Sequence, residues 1–415
     1  MSKDNANFFE TKSIWAQTKD RLLGVYLNIY FQKLLTSPRQ TCYFDCFAGK
    51  GKFDDGEDGS PLIALKTRDE CLKRARTTPR PNAIAARFLD YKYADELLAN
   101  ISAYNNSNGI VQVAKGKFEI IIPQFLAQMP TDKLNVFLYI DPYGIKELKY
   151  NLLTSFASLG FASFEMLINF NSFGLFRNAC KASNVSYAND EALADDDEMI
   201  ELEPTEFKND DKSRRLMNEI TGGSDWESIV SSYRRNEIDG YQAEKRLAAA
   251  YKAKLREKYT YVLDMPIRLK TGQRPKYRMI HITNHYDGCY KMAENMINRS
   301  KELYIESLGR RQTGLFGELF EHDVENEPID HVMLKTKLLE TLHEHVDFTR
   351  FNQFVAYFFT KNGIICKIKD IRDVMLGLEA CGRVEVLRYS KDGRLNEHSK
   401  SFADEKGLRT FIKLK

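Results

Sequence analysis

An acid and two closely spaced glycines end an apolar run near the start of the chain. In FDCFAGKGKF (44–53), Asp45 is followed by Gly49 and Gly51. Glycine has no Cβ, so the backbone at such a turn can lie directly against a ligand. The acids that follow, in DDGED (54–58), disfavour a phosphate group and suit a ligand with a positively charged end. A tight strand-to-helix turn without a ligand is the alternative interpretation.

The turn differs from the GxGxxG fingerprint of dinucleotide-binding folds, because the third glycine would fall at Asp54. It is similar to the acid-then-glycine turn of methyltransferases, with Phe47 in place of the first glycine. S-adenosylmethionine carries a sulfonium and an amino group, and Asp45 is a candidate to hold the amino group directly or through water. We therefore expect a donor site at this turn, formed by Asp45, Phe47, Ala48, Gly49 and Gly51.

Two later positions are expected to complete the donor site. Asp90 ends the strand-like run ARFLD, where dinucleotide and methyl-donor folds both place an acid for the ribose hydroxyls. Phe118 follows the third strand-like run, where the adenine ring would stack. Each position also has a plain structural interpretation, because Asp90 would cap the next helix and Phe118 would pack in the core.

A carboxylate, a proline and an aromatic residue follow the fourth strand-like run, in IDPYG (140–144). The stretch is similar to the DPPY-type loop of amine methyltransferases, although Tyr143 replaces the second proline. In such a loop the acid and a backbone carbonyl accept hydrogen bonds from an amine, which aims its lone pair at the methyl group. We expect Asp141, Pro142 and Tyr143 to act on the acceptor in this way. A tight turn without chemistry is the alternative.

These motifs require a sheet that brings several strand ends together. The strand-like runs alternate with helical segments and are CYFDCF (42–47), AIAARFLD (83–90), IVQVAKG (110–116), NVFLYID (135–141) and FEMLINF (164–170). Such alternation predicts a parallel sheet with helices on both faces and ligands at the carboxyl ends of its strands. Two further strands around KTGQRP complete the order typical of a class I methyltransferase sheet.

The expected fold is α/β: a Rossmann-like class I methyltransferase sheet with helical insertions and a C-terminal winged-helix-like α+β domain. The boundaries that we predict are an N-terminal helical segment (1–40), a Rossmann-like domain (41–300) with a helical, acidic insertion at about 180–257, a linker helix region (301–329) and a winged-helix-like domain (330–415). Eleven acids and two lysines lie between Asp190 and Lys212, which is typical of a solvated, mobile insertion.

Composition bounds the remaining possibilities. The chain has 415 residues, is 43% hydrophobic and carries a net charge of +3, which is too small to indicate a nucleic-acid partner by itself. Its seven cysteines are scattered singly without a CxxC pair, as expected for reduced intracellular thiols rather than a disulfide framework or a zinc site. No apolar run reaches the length of a membrane span, and no signal core is present. We expect a cytoplasmic protein with no metal site and no membrane partner.

Four stretches in this order resemble the three-Cys-motif partner proteins (TcmP). They are FDCFAGKGKF…DGSPLIAL (44–65), FLYIDPYGIKEL (137–148), EMLINFNSF (165–173) and ITNHYDGCYKMAENM (282–296). The resemblance covers about residues 13–300 and implies a methyltransferase-like Rossmann fold and a three-cysteine partner protein. The sequence departs from the family at Lys50 and Lys117, where the family's pocket is expected to hold a small residue and an acid.

The resemblance also singles out Asn169, Asn171 and His285 as substrate-binding residues. The two amides end the fifth strand-like run beside IDPYG, and the histidine is a candidate base. The structural alternatives are that Asn169 satisfies buried backbone groups and that His285 supports the hairpin strand.

The segment 330–415 carries sixteen lysines and arginines against twelve acids, a net charge of +4. Three helical runs followed by two short strands indicate a winged helix, in which basic groups contact phosphates. The candidates are Lys367, Lys369 and Arg372 on the third helical run and Arg383, Arg388, Lys391, Arg394 and Lys400 in the wing. We expect nucleic acid as the partner, with protein docking or a purely structural role as the alternative.

Three functions stay open from the sequence. The first is methyl transfer from S-adenosylmethionine to a nitrogen of a nucleic acid or nucleobase-like acceptor. The second is modification of a peptide or small metabolite made with a three-Cys partner protein. The third is a catalytically silent module for nucleic-acid binding or assembly.

Overall fold

The computed structural model describes residues 11–75, 83–104, 110–187, 207–268, 275–311, 329–402, 404 and 407–415, with side chains for all of these except 307–311. Most of the acidic stretch between Asp190 and Lys212 lies outside these residues, as does most of the KTGQRP turn. The solvated insertion therefore stays a prediction.

The helices of the described chain are α1 (Ile14–Leu35), α2 (Ser60–Arg74), α3 (Ala94–Asn100), α4 (Phe118–Ala127), α5 (Tyr150–Ser155), α6 (Ser172–Ala182), α7 (Asp211–Thr221), α8 (Asp225–Arg234), α9 (Gly240–Arg256), α10 (Tyr286–Arg311), α11 (His331–His343), α12 (Phe351–Asn362) and α13 (Ile368–Ala380). The strands are β1 (Gln40–Asp45), β2 (Ile84–Asp90), β3 (Val111–Lys115), β4 (Leu134–Ile140), β5 (Ser163–Phe170), β6 (Tyr261–Ile267), β7 (Tyr277–Thr283), β8 (Thr349–Arg350), β9 (Val384–Tyr389) and β10 (Arg409–Leu414).

Seven of these strands form one sheet in the order β3-β2-β1-β4-β5-β7-β6. Strands β1 to β5 are parallel to one another, whereas β7 is antiparallel to β5 and β6 is antiparallel to β7. The predicted α/β class is therefore confirmed as a mostly parallel sheet, compatible with a Rossmann-like fold. The strand order reverses between β1 and β4, and ligands of such sheets bind beside this point, at the carboxyl ends of the strands.

Helices cover both faces of the sheet. Helices α1, α2 and α10 pack on one face, and α4 to α9 pack on the other. The central strand β4 reads LNVFLYI and has every residue buried, as expected for a strand covered on both sides. Its side chains alternate between the layers, so that Phe137 and Tyr139 lie on the α1 side while Val136 and Leu138 lie on the other.

A buried ion network ties α9 to the β6–β7 pair. The Arg278 guanidinium donates to both carboxylate oxygens of Glu244, at 2.7 and 2.8 Å, and to Asp264 at 2.7 Å. Lys252 also pairs with Asp264. The Glu244 side chain is fully buried, so removing one member would leave an uncompensated charge in the core.

The C-terminal helices and the small sheet β8-β10-β9 do not form a separate core. Phe354 and Phe358 of α12 belong to the same apolar cluster as Met292 and Met296 of α10. Cys289 of α10 lies 3.7 Å from a backbone carbonyl of α12. The expected boundary at 330 therefore falls within a shared core.

Among the described helices, none has the length and apolar content that crossing a bilayer requires. In the same part of the chain, no group of three or more His, Cys, Asp and Glu side chains is arranged to hold a metal ion.

Candidate functional site

Three predicted residues lie on one face of the sheet at the carboxyl ends of adjacent strands. Asp45 ends β1, Asp141 follows β4 and Asn169 is the penultimate residue of β5. Two positions earlier, Tyr43, Tyr139 and Leu167 all belong to the layer that packs on α1. Because side chains alternate along a strand, the three polar residues face α1 as well. The register of β1, β4 and β5 places Asp45 and Asn169 roughly 10 Å apart, on either side of Asp141.

Asp45 is fully buried and only partly hydrogen-bonded. Its Oδ1 accepts from the Phe47 N–H at 3.3 Å, whereas its Oδ2 has no partner. Burial raises the pKa of Asp45 to about 7, and the nearby Ser60 hydroxyl and the Phe47 N–H offset this only in part. Buried carboxylate oxygens are normally paired, so Oδ2 is a candidate acceptor for a ligand, with the Tyr43 and Ser60 hydroxyls as donors close to it within the chain.

Asn169 supplies a second vacant acceptor at the same edge. The side chain is buried, and its Nδ2 donates to Asp141 Oδ1 at 2.6 Å. Its Oδ1 has no hydrogen-bond partner. The assignment of Oδ1 and Nδ2 follows from this hydrogen bond, because only the amide nitrogen can donate to a carboxylate.

Asp141 is held by three neighbours. Lys19 Nζ of α1 donates to its Oδ1 at 3.0 Å and to its Oδ2 at 2.8 Å. The Tyr139 hydroxyl donates to Oδ2 at 3.2 Å, and Asn169 donates to Oδ1. These four hydrogen bonds use about all the lone-pair sites of a carboxylate. The next residues diverge, since Pro142 is buried whereas Tyr143 is 51% exposed.

The start of α1 adds a lysine and a third carboxylate to the site. Lys12 Nζ lies 2.8 Å from Asp20 Oδ2 and donates to the Asp58 carbonyl at 2.6 Å. Burial raises the pKa of Asp20 to about 6, although Lys12 opposes the shift. The charges of Asp20 and Asp141 both raise the pKa of Asp45, so the three carboxylates share one electrostatic environment. Because Lys12 and Lys19 neutralise Asp20 and Asp141, Asp45 is the acid of the three that is left for a cationic group of a ligand.

The glycines of the first turn are explained largely within the chain. Gly49 and Gly51 have φ angles of 59° and 77°, a region that favours glycine. A Cβ on Gly51 would lie 2.7 Å from Leu97 Cδ1, so this glycine lets α3 pack against the turn. The buried Ala48 donates its N–H to the Leu89 carbonyl at 3.0 Å. Of the predicted donor residues here, Gly51 faces the protein rather than a ligand.

Asp90 joins two turns instead of standing free at the end of β2. Its Oδ2 accepts from the Gly49 N–H at 2.8 Å, and its Oδ1 accepts from the N–H groups of Lys92 and Tyr93 at 2.8 and 2.7 Å. Both oxygens therefore serve the backbone, in line with the structural interpretation. A ribose would have to share these half-buried acceptors.

Phe118 lies in the core and not on an open wall. Its side chain is only 2% exposed, and its ring centroid lies 5.3 Å from that of the half-buried Phe47. The expected adenine platform at Phe118 is therefore not formed in this structure. The nearby Lys117 instead lies 5.9 Å from the exposed ring of Tyr91.

Two predicted substrate residues have other positions. Asn171 caps α6, where its Oδ1 accepts from the Gly174 N–H at 2.7 Å. His285 follows β7, whose last residue, Thr283, pairs with Glu165 at the start of β5. His285 is thus at the opposite edge of the sheet, more than about 13 Å from Asn169 along the strand, and does not join the site.

No family model matches the chain, and no curated protein matches its sequence.

Some of the predicted basic residues of the C-terminal region are engaged within the protein. Arg388 is buried and donates to both oxygens of Glu379, at 2.7 and 2.6 Å. Arg372 donates to the Tyr290 hydroxyl at 2.8 Å. Arg388 is therefore withdrawn from the solvent where phosphates would bind. The exposed members of the predicted set are Lys367, Lys369, Arg383, Lys391, Arg394 and Lys400.

The sequence motifs did not indicate Lys19, which makes the closest charged contact at the site. It lies 122 residues before Asp141 on a helix that carries no recognisable motif. The Lys19 side chain is only 12% exposed, which is unusual for a lysine. This burial arises when α1 packs on the sheet, so it could not be read from the sequence.

Proposed function

We propose that the protein is an S-adenosylmethionine-dependent methyltransferase acting on a nitrogen of a nucleic acid or nucleobase-like acceptor. The observation that carries this proposal is Asp45, a fully buried carboxylate with a vacant oxygen at the end of β1, where the strand order reverses. The resemblance to the three-Cys-motif partner proteins supports the same function. On this proposal, residues 41–300 are a class I methyltransferase domain.

The residues around Asp45 fit the amino-acid end of the donor. Bound S-adenosylmethionine supplies an electrophilic methyl group beside a positive sulfonium. Asp45 Oδ2 would accept a hydrogen bond from its amino group. Binding at Asp45 would also remove the cost of a buried carboxylate oxygen without a partner.

The acceptor side is assigned to Asn169 and Asp141. Asn169 Oδ1 would accept an N–H of the acceptor, because it has no partner within the protein. Asp141 can accept a second N–H only if Lys19 gives up one of its two hydrogen bonds. Two accepted hydrogen bonds fix the orientation of the acceptor nitrogen and leave its lone pair free to attack. The partly exposed Tyr143 ring would cover the acceptor base. After the methyl group moves from sulfur to nitrogen, the acceptor nitrogen loses its proton to water.

Lys19 also favours a second candidate, a catalytically silent nucleic-acid-binding or assembly module. Its ammonium occupies both oxygens of Asp141, the residue that the enzymatic proposal needs for the acceptor. If this contact persists when donor binds, the core holds ligand without transferring the methyl group.

The C-terminal region is proposed to be a winged-helix-like domain that presents the substrate. In support, α11, β8, α12, α13, β9 and β10 follow one another in the order of that fold, and β10 lies between β8 and β9. A cytoplasmic location is proposed because no disulfide bond joins any of the seven cysteines, all of which lie in the described part of the chain.

Incubation of the protein with radiolabelled methyl donor and a crude cell lysate tests the enzymatic proposal. We expect label in the RNA or DNA fraction, and none when the Asp45→Asn variant replaces the wild type. Label confined to peptides or small molecules would redirect the proposal to modification with a three-Cys partner. No label in any fraction, with donor binding intact, would favour the silent module.

A further inference from the structure

The outer face of the small C-terminal sheet carries a cavity lined by aromatic rings. The cavity has a volume of about 460 Å³, within the usual range for ligand sites. Its lining consists of Phe348, Leu387, Tyr389, Gly393, Arg409 and Phe411. It lies apart from the predicted donor and acceptor residues, and none of its lining residues belongs to the basic set predicted from the sequence.

The strand register explains why these residues share one face. In the pairing of β9 with β10, Arg409 lies opposite Tyr389 and Phe411 lies opposite Leu387. Residues directly opposite each other in an antiparallel pair point to the same side of the sheet. The alternate residues of β10, Thr410 and Ile412, are buried in the core, so the aromatic face is the outer one.

The rings are placed to receive a flat group. Tyr389 and Phe411 meet edge to face, with ring centroids 5.8 Å apart and planes 89° from each other. Both rings remain half-buried. A perpendicular pair of this kind offers one ring face and one ring edge to a planar ligand.

Two cations border the cavity, and one acid, Glu385, lies opposite Lys413 in the pairing of β9 with β10. Arg409 lines it, and Lys413 Nζ lies 5.8 Å from the centroid of the Phe348 ring. Within the described part of the chain, neither side chain makes an ion pair or a side-chain hydrogen bond, and Lys391, beside Gly407, makes none either. By contrast, Arg394 is 3.3 Å from Asp392. Cations beside half-buried rings suit a ligand that combines planar groups with negative charge.

We propose that this cavity binds an unstacked base of single-stranded nucleic acid, with Arg409 and Lys413 on the adjoining phosphates. The rings supply stacking, which tolerates any base, and the cations supply attraction to the backbone. A duplex buries the faces of its bases, so the site selects single strands or loops. This binding does not depend on methyl transfer.

Fluorescence anisotropy with the full chain and a labelled single strand of about ten nucleotides tests the proposal. We expect Tyr389→Leu and Phe411→Leu each to weaken binding roughly 5- to 150-fold, the loss of about 1–3 kcal/mol of stacking per base. Tyr389→Phe keeps the ring and should bind as the wild type does. Circular dichroism and unfolding curves check that the variants fold.

If the ring variants unfold, a double variant, Arg409→Met with Lys413→Met, still tests the proposal. The double variant should reduce the slope of log affinity against log salt by about 1.4, since each phosphate contact on a single strand contributes about 0.7. Lys245→Met, on the exposed side of α9, removes one charge elsewhere and should leave the slope unchanged.

Three results would overturn the proposal. The first is equal affinity of Tyr389→Leu and Tyr389→Phe for the single strand. The second is binding of duplex as tightly as of single strand. The third is capture of a proline-rich peptide by the same rings while the oligonucleotide fails to bind, which would make the cavity a peptide groove. None of these results bears on donor binding or on the proposed methyltransferase.

Discussion

Lys19 Nζ lies 3.0 Å from Oδ1 and 2.8 Å from Oδ2 of Asp141, so the first helix reaches across the carboxyl edge of the sheet and holds its central acid. The two side chains are 12% and 23% exposed, respectively. Each of these two charges is stabilised by the other, because a charge that is largely removed from water is destabilising when it has no partner.

Lys19→Met is expected to lower the free energy of unfolding by about 1–3 kcal/mol, since it leaves Asp141 largely buried without its cation. The matched control is Arg74→Met, which removes the partner of Glu70 from an exposed pair and should cost less than about 1 kcal/mol. Urea unfolding at neutral pH measures both. Equal losses for the two variants would show that the contact with Asp141 contributes no more than a surface pair.

Asp141→Ala is expected to leave donor affinity within about threefold and to reduce methyl transfer at least ~10²-fold, the loss typical of a positioned polar partner. Calorimetry gives the first quantity, and label incorporation into the reactive lysate fraction gives the second. Unchanged turnover would return IDPYG to a turn without chemistry. A large loss of donor affinity would place Asp141 in the donor site instead.

The stability of the protein should depend on pH through Asp45. Its pKa is raised by burial from 3.8 to about 7, so the folded state favours the protonated form. The resulting stabilisation is complete below about pH 4 and is lost as the pH rises to about 7. As the pH rises from 4 to 8, the free energy of unfolding of Asp45→Asn should therefore increase by about 2–4 kcal/mol relative to that of the wild type.

Asp264→Asn is the control for that comparison. Burial favours its protonated form, but Lys252 and Arg278 outweigh this and lower the pKa of Asp264 to about 2. Its contribution is fully present above about pH 4 and is lost only in stronger acid, so the variant should be less stable than the wild type by a nearly constant amount from pH 4 to pH 8. Denaturant unfolding of the wild type, Asp45→Asn and Asp264→Asn at pH 4 and pH 8 measures these differences. The same pH trend in both variants would contradict the assignment of the pH dependence to Asp45.

Gly51→Ala should destabilise the protein more than Gly382→Ala. The two glycines have similar φ angles, 77° and 72°, so the backbone strain is comparable. Of the two glycines, only Gly51 would bring an added Cβ into a clash, with Leu97 Cδ1 at 2.7 Å, so the fully buried Leu97 side chain would have to shift within the packed core. Melting curves should separate the variants by several degrees, whereas coincident curves would mean that α3 adjusts freely.

The strand ends of the site could be predicted from the sequence because buried parallel strands are continuous apolar runs. Asp45 and Asp141 follow such runs, and the alternation of strands and helices places their ends on one edge. The pattern does not fix which groups fill the hydrogen bonds of those acids. Lys19 is distant in sequence, and the two turns joined by Asp90 meet only when β1 and β2 pair.

His285 illustrates the limit of order along the chain. The family resemblance indicated His285 as a substrate-binding residue and candidate base, but β7 runs antiparallel to β5 and carries its last residues to the edge opposite Asn169. The direction of a strand is decided by its pairing, which the sequence pattern of β7 does not contain.

Calorimetric titration of the full chain with S-adenosylmethionine and with S-adenosylhomocysteine tests the central claim most directly. We expect binding by the wild type at pH 8, at least tenfold weaker binding by Asp45→Asn, and unchanged binding by Glu70→Gln, which alters an exposed acid of α2 outside the site. Gly49→Val should also abolish binding, because it fills the space beside the turn. No heat from the wild type at millimolar donor, or a preference for a nicotinamide dinucleotide, would contradict the account.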